Sequence, residues 1–239
     1  MKILVMGLPG SGKTTLATAL AERLGGQYKV NFSDTRPAAA IFVSRQDHGL
    51  LDLLWRKRTG ELPMEVPLVI SNHSDLGVIA QEFGAHFEHV PVDAATKQEA
   101  EARHLALLVE HKIELVVLAK YMQVLTPSFL AAFAPPDAFH QVINIHHSFL
   151  PAFTGAKPYH RAWERGVELI GATAHYATVD LDEGPIIEQG VERVDHTLTA
   201  EDFVAIGRDI ENVVLSRAVQ EHVEHRVIAN GTKTVVFKR

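Results

Sequence analysis

The chain has 239 residues, a net charge of −6 and no cysteine. The lack of cysteine excludes disulfides, thiolate zinc sites and cysteine nucleophiles, and the acidic balance argues against nucleic acid as a partner. No apolar run approaches the roughly 20 residues that span a bilayer, so we expect no membrane partner. The apolar start of the chain is broken by Gly7, Pro9 and Gly10 and has no cleavage-like site. We therefore expect a cytoplasmic protein.

The first 36 residues differ in kind from the rest of the chain. A strand is predicted over 2–6 and a helix over 14–24, and the loop between them, GLPGSGKT, fits the pattern G-x-x-x-x-G-K-[ST]. In this setting backbone N–H groups cradle phosphates and the lysine reaches their oxygens. The segment resembles the opening of small P-loop kinases, and its candidate ATP-binding residues are Gly7, Gly12, Lys13 and Thr14.

Too little chain separates this motif from residue 37 to complete a kinase. A working P-loop kinase needs several more strands, an acidic residue that holds Mg²⁺ and a lid with arginines. Asp34 could be a first acidic partner, but nothing after it continues the pattern. A nucleotide-binding or kinase-like protein therefore stays as an alternative, and the segment 1–36 is predicted to be an appendage.

From residue 37 onward, predicted strands and helices alternate, which favours a mostly parallel sheet with helices on both faces. Strands are predicted over residues 38–44, 67–71, 87–92, 115–119, 142–146, 169–178 and 185–194. Helices are predicted over residues 49–58, 76–83, 95–111 and 199–223. Thr199 and Asp202 form a near capping box, and Asn230-Gly231 predicts a hairpin within 226–237. We expect a doubly wound α/β domain over 37–239.

Fourteen histidines raise the question of a metal site. His222 and His225 lie three residues apart, but no H-E-x-x-H pattern occurs anywhere in the chain. We therefore predict no metal site. The scattered histidines are expected to be solvated or hydrogen-bonded, among them His86, His89, His104 and His111.

The segment 142–159 (VINIHHSFLPAFTGAKPY) carries the clearest chemical signal. Asn144 and His146 lie on the same face of a predicted strand, because alternate residues of a strand point the same way. They come at its C-terminal end, where open α/β sheets place their ligands. Asp182 follows in the loop DLDEGP between two later strands, which could fold back over the same edge; taken alone, it is typical of a turn before Gly184.

These three side chains suit acyl transfer at a small carbonyl. A carboxamide such as Asn144 can donate to the oxyanion of a tetrahedral intermediate. An imidazole such as His146 can move a proton between the attacking and leaving groups, and a carboxylate beside it can orient the ring, stabilise the imidazolium or order a water. Ser148 lacks the G-x-S-x-G setting of a nucleophile, so water or an external amine has to attack.

At these residues the chain resembles the formyltransferase superfamily, and within it the family of formyltetrahydrofolate deformylases. The resemblance covers about residues 37–237 through several motifs in the same order. They are VSRQDHGLLDLLWR, RTGELP, SNHSDL, LAKYMQVL, NIHHSFLP, GAKPYHRA, GATAHYATVDLDEGPIIEQ and KTVVF.

The resemblance implies hydrolysis of 10-formyltetrahydrofolate to formate and tetrahydrofolate, within one-carbon and purine metabolism. It implies the catalytic residues Asn144, His146 and Asp182, a folate substrate, no required cofactor and a homo-oligomer. The implied folate-binding residues are Tyr121, Met122, Gln123, Val124, Leu125, Leu181, Glu183 and Gly184. Met122 and Leu125 could also be core residues that wall the pocket.

Two features depart from the superfamily's usual pattern. In the related glycinamide ribonucleotide formyltransferases, a loop rich in glycine and serine after the first strand holds the acceptor's phosphate. Here the loop 44–49 is bulkier and carries Asp47, which opposes phosphate and favours water as acceptor. Arg45 and His48 leave a formyltransferase with an amine acceptor open. Deformylases also usually begin with an ACT-type domain, and the segment 1–36 stands in its place.

Overall fold

The computed structural model describes residues 13–25, 35–134, 141–151 and 157–238. The chain divides into two compact units, Met1–Thr35 and Arg36–Arg239. In the first unit the described residues form α1, Lys13–Leu24. Gly7 and Gly12 lie outside the described residues, as do the side chains of Lys13 and Thr14. Nucleotide binding by this segment and its assignment as an appendage to a catalytic domain therefore stay predictions.

The second unit is built on a seven-stranded sheet of order β3-β2-β1-β4-β5-β6-β7. Neighbouring strands from β3 to β5 pair in parallel, whereas β6 and β7 are antiparallel. The strands are β1 Ala38–Val43, β2 Glu65–Ser71, β3 His86–His89, β4 Leu115–Leu118, β5 Val142–His146, β6 Leu169–Tyr176 and β7 Ile186–Arg193. The mostly parallel sheet is confirmed. So is the terminal hairpin, which pairs β8 Val227–Asn230 with β9 Lys233–Val236.

Six helices of the second unit are described: α2 His48–Thr59, α3 Gly77–Glu82, α4 Lys97–Glu110, α5 Pro127–Phe133, α6 Pro158–Arg165 and α7 Ala200–Val223. The capping box at α7 is confirmed, since Thr199 Oγ1 accepts from the Asp202 N–H and the Asp202 carboxylate accepts from the Thr199 N–H. The short helices α5 and α6 were not predicted from the sequence. Among the described residues, no helix is long and apolar enough to cross a membrane.

Two cores cover the two faces of the sheet, as the alternation of side chains along β1 shows. Ala39, Ile41 and Val43 pack in one core with residues of α2, α3, α6 and α7. Ala40 and Phe42 point to the opposite face and pack with residues of α4 and α5. Both faces are therefore buried, which is the arrangement that a doubly wound parallel sheet requires.

His104 of α4 is a core residue, so the expectation of a solvated or hydrogen-bonded histidine is wrong at this position. Its ring is 1% exposed and lies 5.2 Å from the Phe42 ring and 6.2 Å from the Tyr121 ring. Neither ring nitrogen has a hydrogen-bond partner among the described residues. Burial lowers the pKa of His104 to about 4, so the ring is neutral at pH 7.

Candidate active site

Asn144 and His146 lie at the C-terminal end of β5, beside the parallel strand β4 and the antiparallel strand β6. His146 is 5% exposed and Asn144 is half-buried. Asn144 is paired with His175 of β6, and His146 with Thr173. Because cross-strand partners share a face of the sheet, β6 places His175 directly beside the two predicted catalytic residues.

The loop between β6 and β7 brings Asp182 to the same edge. Asp182 adopts a left-handed backbone with φ of 59°, a conformation that Asp tolerates better than most residues. Two residues later, a Cβ atom at Gly184 would overlap the carbonyl oxygen of Tyr176, so only glycine lets the loop approach the end of β6 this closely. The folded-back loop puts Asp182 Oδ2 3.1 Å from His146 Nδ1.

The contact with Asp182 selects the tautomer of His146. A carboxylate only accepts, so Nδ1 carries the proton that is donated to Asp182, and Nε2 is the nitrogen that can keep its lone pair. Nε2 is buried and has no hydrogen-bond partner among the described residues. Burial works to raise the pKa of the Asp182 carboxyl, but the hydrogen bond from His146 opposes it, and that pKa lies well below its usual range. Asp182 is therefore an anion at neutral pH.

His175 is a residue of this site that sequence reasoning did not single out. Its Nδ1 lies 3.0 Å from the Tyr176 carbonyl oxygen, so Nδ1 is the protonated nitrogen. Nε2 then accepts from the Asn144 amide, whose Nδ2 lies 3.2 Å away. This bond orients the carboxamide and leaves the second N–H of Asn144 available to another acceptor. Asp182 Oδ1 lies 3.6 Å from the same His175 nitrogen.

Five of the eight predicted folate-binding residues have largely apolar side chains, and they fall into two groups. Tyr121 and Leu125 are buried and pack in the core with α4 and α5. Met122 and Val124 are 63% and 59% exposed, and Leu181, beside Asp182, is 65% exposed. The segment after β4 and the Asp182 loop thus both carry solvent-exposed apolar side chains. Both segments flank the end of β5, where His146 lies.

The loop after β1 is held by side-chain contacts of its own. Ser44 Oγ accepts from the Met122 N–H at 2.9 Å and donates to Asn72 at 2.7 Å. Arg45 is exposed and lies against His73, whereas His48 turns inward and its Nε2 lies 2.9 Å from a Glu211 carboxylate oxygen. His48 is therefore paired with a buried anion of this chain.

Among the described residues, no group of three or more His, Asp or Glu side chains is arranged to hold a metal ion. The constellation at the end of β5 is instead an amide, two imidazoles and a carboxylate in hydrogen-bond or ion-pair distance of one another. Such a set can donate to a developing oxyanion and move a proton.

Comparison with known proteins shows the family of this chain. The formyl transferase family profile matches residues 38–219, which include all four polar residues at the end of β5. A formyltetrahydrofolate deformylase of Synechocystis sp. is 55% identical over 218 residues, covering 91% of this chain and 75% of that protein. The chain belongs to the formyltetrahydrofolate deformylases.

Solved structures of a deformylase and of a glycinamide ribonucleotide transformylase have a similar fold. A formyltetrahydrofolate deformylase from Burkholderia mallei aligns with a TM-score of 0.86 and 48% identity, over 97% of this chain and 80% of that one. A glycinamide ribonucleotide transformylase from Symbiobacterium toebii aligns with a TM-score of 0.78 and 29% identity, over 88% of this chain and 99% of that one. The deformylase is the nearer of these two in sequence and fold.

Proposed function

We propose that the chain hydrolyses 10-formyltetrahydrofolate to formate and tetrahydrofolate, with Asn144, His146 and Asp182 as the catalytic residues. Its membership of the deformylases supports the reaction. One observation carries the assignment of residues: Asp182 holds the Nδ1 side of His146 at 3.1 Å, while the Nε2 side is buried and has no partner among the described residues. That nitrogen is the one that can act on a water.

In the first step, His146 Nε2 takes a proton from water as the water oxygen attacks the formyl carbon. Asp182 stabilises the imidazolium that results, because its anionic carboxylate accepts a hydrogen bond from Nδ1–H, which keeps its proton. The formyl oxygen becomes an oxyanion, and the free N–H of the Asn144 amide donates to it. Such a donor is worth roughly 3–4 kcal/mol of transition-state stabilisation.

In the second step, the tetrahedral intermediate breaks its bond between the formyl carbon and N10. The imidazolium of His146 returns its proton to N10, so tetrahydrofolate leaves as a neutral amine. The formyl group leaves with the water oxygen as formic acid, which ionises to formate by releasing its remaining hydroxyl proton to solvent. His146 is then neutral again with its proton on Nδ1. Both steps use water and side chains of this chain, so we propose that no cofactor is required.

The folate would lie across the exposed apolar residues at the end of the sheet. Met122, Val124 and Leu181 offer apolar contact to its rings, which is how most small-molecule sites gain binding energy. Tyr121 and Leu125 anchor the same segment in the core. Gln123 and Glu183 are polar neighbours that could orient the ligand, and Gly184 sets the course of the loop.

The decisive experiment incubates the purified protein with 10-formyltetrahydrofolate, with and without glycinamide ribonucleotide, and measures formate and tetrahydrofolate. We expect formate release that does not depend on the acceptor and that is lost in Asp182→Ala. Formate that is absent without acceptor, together with formylated glycinamide ribonucleotide when it is added, would instead establish the amine-acceptor transferase.

Three further expectations remain proposals alongside this function. We expect a homo-oligomer, a cytoplasmic location and, as an alternative role for the first unit, ATP binding at Gly7, Gly12, Lys13 and Thr14. Calorimetry with ATP and Mg²⁺ on the wild type and on Lys13→Ala checks the last. Equal blank titrations would end the nucleotide hypothesis.

A further inference from the structure

The crevice between the C-terminal ends of β1 and β4 lies beside the candidate active site. From these two neighbours the strand order runs in opposite directions, toward β3 on one side and toward β5 on the other. Open α/β sheets of this topology bind their ligands at such a switch point. In this chain the residues that follow the two strands, His48 and Lys120, turn toward a carboxylate of α7 instead.

That carboxylate belongs to Glu211, which receives three donors. Lys120 Nζ and the Tyr159 hydroxyl each lie 2.9 Å from Oε1, and His48 Nε2 lies 2.9 Å from Oε2. The side chains of Glu211, Lys120 and His48 are 2%, 9% and 12% exposed. We call these four residues the Glu211 cluster. It fills the place in the fold where a second ligand would be expected.

The backbone around the cluster is shaped to hold it. A Cβ atom at Gly207 would overlap the Tyr159 ring, so the tyrosine lies directly on the backbone of α7. A Cβ at Gly49 would come within 3.3 Å of the Ala119 Cβ, so the start of α2 packs tightly on the end of β4. Lys120 has a left-handed backbone with φ of 62°. Close packing of this kind leaves little room for a bound molecule.

The Glu211 cluster is connected to the catalytic histidine through two rings. The Tyr159 ring lies 6.5 Å from the ring of His147, and the His147 ring lies 5.2 Å from that of His146. Burial, helped by the positive charge of Lys120, lowers the pKa of His147 to about 4. His147 is thus a neutral spacer between the cluster and His146 at pH 7.

We propose that the Glu211 cluster is the determinant that makes water the formyl acceptor, because it occupies the acceptor side of the site and keeps amines away from the formyl carbon. This inference rests on the proposed function. A water molecule needs only a small space next to the formyl carbon. An amine acceptor needs room in the site for the rest of its molecule as well. The same carbonyl could be attacked by either nucleophile: water gives formate, and an amine gives a formamide, with N10 protonated in both cases.

A purely structural role for the cluster is the alternative. Buried ion pairs are often no more stabilising than apolar residues of the same size, so stability alone does not explain the arrangement. The two roles differ in one measurable quantity, which is the share of formyl groups that reaches an added amine. A loss of stability changes the amount of active enzyme. It does not change the ratio of formylated amine to formate that each active molecule produces.

The test supplies 10-formyltetrahydrofolate and a large excess of glycinamide, and measures formate and N-formylglycinamide with an enzyme-free control. The wild type should give formate and no N-formylglycinamide above that control. The double variant Lys120→Gly, Glu211→Gln should raise the amine's share of product at least tenfold. Glycine takes the left-handed backbone of Lys120 without strain, and glutamine keeps the size of Glu211 without leaving an unpaired charge.

Three single variants complete the test. His48→Ala opens the crevice from the β1 side and should also raise the amine's share. Tyr159→Phe keeps the ring that fills space, so its product ratio should stay that of the wild type. Glu188→Gln is the matched control and should leave the product ratio unchanged. Glu188 lies on the edge strand β7 and is another buried carboxylate paired with a lysine, Lys238.

The outcomes separate this inference from the proposed function. An unchanged product ratio in folded His48→Ala and in the double variant overturns the role of the cluster. So does a wild type that formylates glycinamide above the enzyme-free rate, a result that decides the matter even if the double variant does not fold. A wild type that releases no formate at all refutes the proposed function itself.

Discussion

Two histidine–carboxylate pairs in this molecule have similar geometry, and we propose different roles for them. In one, His146 Nδ1 lies 3.1 Å from an Asp182 oxygen, and in the other, His48 Nε2 lies 2.9 Å from a Glu211 oxygen. The Asp182 side chain is 16% exposed and the Glu211 side chain 2%. The distance between ring nitrogen and carboxylate oxygen therefore does not distinguish the proposed catalytic pair from the proposed space-filling pair.

The neighbours of each carboxylate make the difference. Burial works to raise the pKa of Glu211, but donors from His48 and Lys120 outweigh it and lower that pKa to about 2. Tyr159 adds a third donor, so the Glu211 carboxylate is bound to three side chains of the protein itself. Asp182 also stays ionised, but it holds a ring whose other nitrogen has no partner among the described residues. We therefore propose the pair of His146 and Asp182 as the catalytic one, because one nitrogen of its ring is left for the substrate.

The largest effect should come from Asp182→Asn. The amide can donate to His146 Nδ1, which moves the ring proton to Nε2 and removes the base, as in hydrolases that use the same pair. We expect kcat for formate release to fall by about 10³- to 10⁴-fold, with a melting temperature close to that of the wild type. A kcat within tenfold of the wild type would show that Asp182 does not set the state of His146.

Glu211→Ala should lower stability instead. It leaves Lys120 buried without its counter-charge, and breaking a buried pair in this way costs about 3–5 kcal/mol. Urea unfolding gives the free energy. Glu168→Ala is the control, because Glu168 pairs with Arg193 at 2.7 Å but both side chains are about 70% exposed, and such pairs are worth about 0–1 kcal/mol. Equal losses in the two variants would contradict the pairing of Lys120 with Glu211 as a buried ion pair.

His175→Ala should have a smaller effect on catalysis. Asn144 loses the acceptor that orients its amide, and an unsatisfied buried hydrogen-bonding group costs roughly 1–3 kcal/mol. We expect kcat/KM to fall by about 10- to 100-fold, and His175→Gln, whose side-chain oxygen can accept from Asn144, to recover part of the loss. An unchanged kcat/KM in His175→Ala would mean that Asn144 is held by other contacts.

The smallest effect at neutral pH should come from His104→Leu. The folded-state pKa of about 4 lies below the unfolded value of 6.5, so the unfolded chain binds the proton first. The stability contribution of neutral His104 is therefore complete above pH 6.5 and is lost as the pH falls toward 4. Between pH 6.5 and 4, the free energy of unfolding of the leucine variant should fall less steeply than that of the wild type. The two slopes should differ by up to about 1.4 kcal/mol per pH unit in urea unfolding. Parallel curves would contradict the burial of His104 as a neutral ring.

Much of the fold could be predicted from local patterns. The buried strand β5 was placed at its observed bounds, and the capping box and the terminal hairpin follow from two residues each. The helices α5 and α6 escaped prediction because seven and eight residues are too few to show a helical period. Their best signal is the proline at the start of each, with Thr126 capping α5.

The candidate site divides in the same way. Asn144 and His146 share a strand, so their common face could be predicted from spacing alone. His175 could not, because it meets Asn144 through the register of an antiparallel pair 31 residues apart. The ion pair of Lys120 and Glu211 joins residues 91 apart. Local periodicity carries no information about such long-range pairing.

The most direct test of the central claim is single-turnover formate release by His146→Ala without any acceptor, with the enzyme in saturating excess over 10-formyltetrahydrofolate. The account predicts a fall of about 10³-fold or more from the wild-type rate, with unchanged folding by circular dichroism, because no other group in the mechanism takes the proton of the attacking water. A folded His146→Ala protein that releases formate within tenfold of the wild-type rate would contradict it.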